Sequence, residues 1–150
     1  MIAASVGYDL LFLGHIVVAL ASVVVLVALR TSAAALARGT DLADQRRRFP
    51  ERRDWAARVV HLLPLTGLAL VATGGAAVRL TRPWVLVGLA CYLALAGHLE
   101  ARTLPQEREV ARAAAGPAGA PPAMGRALAR SVDVLVGLLA VALVAMIAQF

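Results

Sequence analysis

The chain contains no lysine; all fifteen of its basic side chains are arginines. That excludes any chemistry that needs an amine: no Schiff base, no amine nucleophile and no lysine ligand. A single cysteine, Cys91, rules out an internal disulfide and a thiolate metal cage. No carboxylate falls in the middle of an apolar run, which argues against a proton pump built on a carboxylate relay. There is no phosphate loop, no nucleophile elbow, no HExxH and no dinucleotide fingerprint. The composition is that of a high-GC bacterial genome, rich in Ala, Val, Leu and Arg.

What the chain does have is long apolar runs, at 10–29, 59–78, 84–99 and 132–147. A helix needs about 20 apolar residues to cross the hydrocarbon core of a bilayer. Apolar residues make up 61% of the chain, more than a soluble domain carries. The expected fold is all-α: a polytopic membrane protein built as an up-down four-helix transmembrane bundle. It forms one domain over residues 1–150, with spans near 9–30, 58–78, 83–104 and 131–149 and loops at 31–57 and 105–130. Helices in lipid associate through close fit. Gly67, Gly74, Gly75, Gly88, Ala94 and Gly97 supply the small side chains for it.

The arginines set the orientation. Thirteen of the fifteen lie in or beside the two longer loops; only Arg79 and Arg82 lie between spans two and three. Cytoplasmic flanks collect basic residues, so both termini are expected outside a bacterial cytoplasmic (inner) membrane. The net charge of +6 therefore reports topology, and no nucleic-acid partner is expected. The first run is too long, and too poor in preceding positive charge, for a cleavable signal.

Local signals divide the rest. Gly39 is expected to end the first helix, and Thr40 or Asp41 to cap a short helix that stops before Pro50. Pro64 predicts a bend early in span two, and Pro83 an opening first turn for span three. Span three is expected to run on past a bend at Pro105. AGPAGAPPAMG, 115–125, reads as a flexible linker. The lipid bilayer is the expected contact of Phe49, Trp55, Trp84 and the Arg46, Arg47 and Arg48 cluster. Asp133 is expected to answer Arg130 or Arg58, and Asp9 to answer Arg79 or Arg82.

Each of the three histidines falls in a different span, and an ionisable group inside a membrane is a functional candidate by default. His61 is three residues after Arg58 and His98 four before Arg102, so both sit near one height on neighbouring spans. That arrangement suits two imidazoles flanking a haem iron or sharing another metal. It equally suits two interfacial residues bonded to water, to Glu100 or to a headgroup. His15 lies deeper, roughly 22 Å from the inner edge at 1.5 Å per residue. Cys91, Tyr92 and Met146 share its depth. His15, Cys91 and Met146 would suit copper(I) or a haem of mixed ligation; Cys91 as a buried apolar residue and Met146 as a gap filler is the alternative.

LLFLGHIVVALASVVVLVALR, LLPLTGLALVATGG and PWVLVGLACYLALAGHLEARTLPQERE together resemble a family of predicted bacterial four-span membrane proteins of unassigned function. That family is similar to a wider group including the copper-resistance protein CopD and the HemJ-type protoporphyrinogen oxidase. The shared features are His15 in a Leu-rich first span, a Gly-containing second span and Pro83–Trp84 opening the third. The resemblance implies haem b as cofactor, with His15 as a ligand. The HemJ-type oxidase also uses a third-span lysine, which this chain lacks, and a copper route finds few thioethers in Met1, Met124 and Met146. The readings carried forward are a haem-binding or redox membrane protein, and a non-catalytic accessory or scaffold subunit with a membrane-protein partner or as a homo-oligomer. A small transporter, which would need dimerisation, comes third.

Overall fold

The computed structural model describes residues 2–51, 57–74 and 81–148, with side chains from residue 7 onward. All regular elements among the described residues are helices. α1 runs over Ile2–Ala37 and α2 over Leu42–Arg48. A 3₁₀ turn, Ala57–His61, leads into α3, Leu62–Thr73. α4 (Pro83–His98) passes through one π-turn (Leu99–Thr103) into α5 (Leu104–Ala115). α6 is Pro122–Ala148. Three stretches, Gly7–Ala37, Pro83–Ala115 and Pro122–Ala148, are long and apolar enough to cross a membrane. The apolar helix Ala57–Thr73 is shorter; the remainder of the run at 59–78 lies outside the described residues.

Boundary chemistry accounts for these elements. α1 stops where Gly39 takes φ 87°, a left-handed conformation that costs glycine nothing. Asp41 caps α2 by accepting the Asp44 backbone N–H at 2.8 Å. Pro105 has no N–H and its ring crowds the carbonyl four residues back. The preceding turn is widened, and the Leu104 N–H bonds to Leu99 O, five residues back.

The expected linker at 115–125 is instead a short, pinned connection. α6 begins at Pro122, in the first-turn position that suits proline. Ala120 is 3% exposed, and its N–H donates to Gln45 Oε1 at 2.8 Å. Gly119 has φ 70°, and a Cβ there would sit 2.5 Å from Leu42 Cδ2. The prolines and glycines thus fit one tight path across α2.

α6 is central, packed between α1 and α4, while α3 leans on α1 and barely meets α4. The buried core lies toward one end. It includes Leu26, Leu29, Ala33 and Leu36 of α1, Leu95 and Leu99, Leu104 and Val110, and Leu128, Val132 and Leu135 of α6. The opposite half of α1 presents Leu10, Leu13, Val17 and Leu20 outward. At the core end α1 and α6 touch backbone to backbone: a Cβ on Gly125 would lie 2.5 Å from Ala37 N and 2.8 Å from Ala33 O. Farther toward the other end, Arg30 Nε donates to Asp133 Oδ1 at 2.8 Å. Asp133 therefore answers α1, and not Arg130 or Arg58, because α1 is the neighbour its helix packs on.

Beyond that ion pair, the end of α1, α2, α5 and the start of α6 form a packed headpiece. Gln45 is buried and bridges two segments, donating to Thr40 O at 2.9 Å while accepting from Ala120.

Gly125→Ala is expected to lower stability by roughly 1–3 kcal/mol, the scale of overpacking, whereas Gly137→Ala, inside α6 where a Cβ meets nothing within 4 Å, should keep it or raise it by up to about 1 kcal/mol. Thermal melts of both variants in one detergent, followed by helical circular dichroism, check this.

Candidate functional site

His15 is set by hydrogen bonding to α3. It is 8% exposed, and its Nδ1 lies 2.7 Å from Thr66 Oγ1. Thr66 has one hydroxyl proton, directed at Leu62 O at 2.9 Å and Leu63 O at 3.1 Å within its own helix. With that proton on its own helix the oxygen accepts, and Nδ1–H of His15 donates; the reverse direction, Thr66 O–H to Nδ1, would need the other tautomer. In the neutral ring this leaves the lone pair on Nε2, for which the described residues offer no partner. Gly67 lies alongside, where a Cβ would be 3.5 Å from His15 Cε1. The result is an oriented imidazole whose second nitrogen is a free acceptor or ligand.

The other two histidines are turned to different helices. His61 Nε2 lies 3.0 Å from Glu100 Oε1, and a carboxylate only accepts, so Nε2–H donates. Nδ1 of the neutral ring then accepts from the Tyr92 hydroxyl at 3.2 Å. Arg58 Nε shares Glu100 Oε1 at 3.5 Å. His98 Nε2 meets Ser131 Oγ on α6 at 3.0 Å, and Ser131 Oγ meets Thr103 Oγ1 at 2.8 Å. Both residues lie near one end of the bundle, as their spacing predicts. His61 bonds back onto α4 and the π-turn, however, while His98 bonds α6, so the structure gives them separate partners. The expected bond to Glu100 is the one His61 makes.

His15, Cys91 and Met146 are likewise not drawn together. His15 sits at the α1–α3 contact, while Met146 reaches α4, its Cε 3.5 Å from where a Gly88 Cβ would be. Cys91 is a half-buried free thiol on α4. Among the described residues no three of His, Cys, Asp and Glu converge.

The expected lipid contacts divide. Phe49 is 3% exposed and packs in the core, because α2 lies against α5. Arg46 reaches the end of α5: its Nε donates to Ala114 O at 3.2 Å and its Nη2 to Ala115 O at 3.4 Å. Those carbonyls have no partner within their own helix, and a guanidinium suits the negative helix end. Arg47 and Arg48 both pair with Asp44 at 2.6 Å. Ala114 lies twelve residues past Arg102, about 18 Å along a helix. The Arg46–Arg48 cluster thus stands on the headpiece, away from the apolar segments. Trp84 is half-buried in the first turn of α4, and Trp55 lies outside the described residues.

Sequence reasoning missed Thr66, Ser131, Thr103 and Gln45 as partners. One signal was available: His98 and Thr103 are five apart just before a proline, and a π-turn stacks residues at that spacing.

In nitrogen-15 spectra of the imidazoles, His15 should carry its proton on Nδ1, and Thr66→Val should abolish that preference; a proton on Nε2 in the native chain would contradict the assignment. The Arg48 and Arg47 guanidiniums hold the Asp44 carboxyl below the ordinary aspartate value of about 3.9. A lowered carboxyl stabilises the fold above that ordinary value and stops doing so as pH falls through its own. Asp44 should therefore titrate below the ordinary aspartate range by carbon-13 NMR, and Arg48→Gln should move it upward. No family model matches the chain, and no curated protein and no solved structure matches it.

Proposed function

We propose that the chain is a bacterial inner-membrane protein that crosses the bilayer four times, keeps both termini outside, and holds a haem iron through His15. The three long apolar helices and the apolar helix Ala57–Thr73 support the four crossings, and the thirteen-to-two distribution of arginines supports the orientation. The observation that carries the haem reading is the buried His15 ring, with Nδ1 bonded to Thr66 and Nε2 without a partner among the described residues. A ligating histidine ordinarily has its other nitrogen bonded in this way, which fixes the ring and its tautomer.

The residues fit a single protein ligand to the iron. His15 Nε2 would bind iron, Thr66 would orient the ring, and Gly67 keeps side-chain bulk away from it. His61 does not fit a second ligand, because both its nitrogens are engaged; His98 has one nitrogen on Ser131 of α6, and its bond places it at the α4–α6 contact, while His15 stands at the α1–α3 contact. When bound, haem supplies one-electron chemistry. The chain's part is to orient the imidazole and to keep it in an apolar, water-poor setting.

A second reading, an accessory subunit or homo-oligomer, is favoured by one observation. The outward residues of α1, Leu10, Leu13, Val17, Leu20, Val24 and Val27, recur at alternating steps of three and four, the spacing of a helix-pairing seam.

Protein purified after haem-replete expression should show a Soret band. His15→Ala should remove it, while His61→Ala and His98→Ala retain it. A colourless native protein, or a band that survives His15→Ala, would overturn the assignment. Tags at either end should be cut by protease added outside intact cells.

A further inference from the structure

The Thr103–Ser131 contact fixes how α6 meets the π-turn after α4. The two segments run antiparallel. Reversing the chain direction reverses the sense in which residues wind, so the residue just before each contact residue turns to the same side of the seam. Those residues are Arg102 and Arg130, and both are exposed. Arg126, one turn earlier on α6, is exposed on the same face. The ion pairs among the described residues involve Arg30, Arg47, Arg48, Arg58 and His61, and none of these three arginines. Glu109, an exposed acid on α5, lies seven residues beyond Arg102, about 10 Å along the axis.

On the apolar side of the arginines the same face is shallow. Gly97 immediately precedes His98, which meets Ser131 as Thr103 does, so it turns to the same side of the seam as Arg102. Gly137 follows Arg130 by seven, two helical turns. Both glycines are exposed, and a Cβ on either would meet nothing within 4 Å. Leu93, 61% exposed, and Val134, 46% exposed, lie on these faces. An apolar trough thus ends in two or three arginines that enter no ion pair among the described residues, at the height where the long apolar helices give way to the polar headpiece; the carboxylate beside them on α6, Asp133, three residues after Arg130, is held by Arg30 at 2.8 Å. Basic pockets between membrane helices at that height suit anionic headgroups.

We propose that the α4–α6 seam binds an anionic phospholipid, its phosphate held by Arg102 and Arg130 and one acyl chain lying over Gly97 and Gly137. The paired guanidiniums supply forked donors that match phosphate oxygens. Arg126 reaches the outer part of the headgroup. Glycine at 97 and 137 lets the chain lie against the helix backbones. This site differs from the expected Arg46–Arg48 contact, whose arginines cap α5 or pair with Asp44. It rests on α4 and α6 crossing the bilayer and is independent of the haem reading.

The test uses the full chain in phosphatidylcholine vesicles that contain spin-labelled phosphatidylglycerol or spin-labelled phosphatidylcholine. The native chain should hold the anionic probe preferentially, by about fivefold for each arginine engaged. Arg102→Gln with Arg130→Gln should remove most of that preference. Gly97→Leu, which keeps both charges, should reduce it. Arg47→Gln, on the headpiece, should leave it unchanged. Equal retention of the two probes by the native chain, or an undiminished preference in the double variant, would overturn the proposal, as would an equal loss in Arg47→Gln. Displacement of the anionic probe by millimolar inorganic phosphate would also overturn it, pointing to a simple phosphate site. Unchanged helical circular dichroism of the double variant ensures that its result reports binding. Failure of the chain to enter vesicles at all would be a separate result, against the membrane reading itself.

Discussion

A polar side chain inside an apolar bundle must find a hydrogen-bond partner; a hydroxyl such as that of Ser22 finds one in its own helix, at Val18 O, but each imidazole here reaches another segment, and this constraint ties the bundle together. Each histidine answers it differently. His15 ties α1 to α3 through Thr66, His61 ties the start of α3 to Tyr92 and Glu100, and His98 ties α4 to α6 through Ser131. These three ties connect every pair of neighbouring long helices except α1 and α6. That pair is held by direct backbone approach at Gly125 and by Arg30–Asp133. The ties to α3 matter most, because α3 and α4 share almost no packed surface. Beside the bonds of His61, the contact of Arg58 with Glu100 at 3.5 Å is what crosses that seam.

The constraint also separates the histidines by chemistry. Where the partner is a carboxylate and a phenol, as at His61, both nitrogens are engaged and the residue is a structural tie. Where the partner is a helical threonine whose proton is already directed at its own backbone, as at His15, one nitrogen is fixed and the other is left free. The same side chain thus becomes a brace in one place and a candidate ligand in another. The difference lies in the donor and acceptor inventory of a single neighbour.

The headpiece shows a second consequence of buried polarity. The carbonyls at the end of α5 need donors, and Arg46 provides them; the connection before α6 needs an acceptor, and Gln45 provides it. Two residues in one short helix therefore lock the two long loops together. The arginines nearest the apolar segments on the opposite face, Arg102 and Arg130, have no such duties, and that freedom is what makes them available to an anionic headgroup.

The amino-acid order by itself determined the helical class, the long apolar helices, the stop at Gly39, a cap at Thr40 or Asp41, which the structure gives to Asp41, and the run of the third apolar segment past Pro105. These follow from local rules: hydrophobic length, backbone freedom at glycine and the missing N–H of proline. It also set Glu100 beside water and headgroups among the partners open to His61 and His98, and the structure gives Glu100 to His61. Only the tertiary structure decided that His98 faces Ser131 rather than His61, that Phe49 turns inward, that Asp133 answers Arg30, and that the proline- and glycine-rich stretch is pinned under α2. Those outcomes depend on which helix stands beside which and on the rotation of each about its axis. A sequence rich in alanine, valine and leucine on every face carries little of that information, because one apolar side then looks much like another.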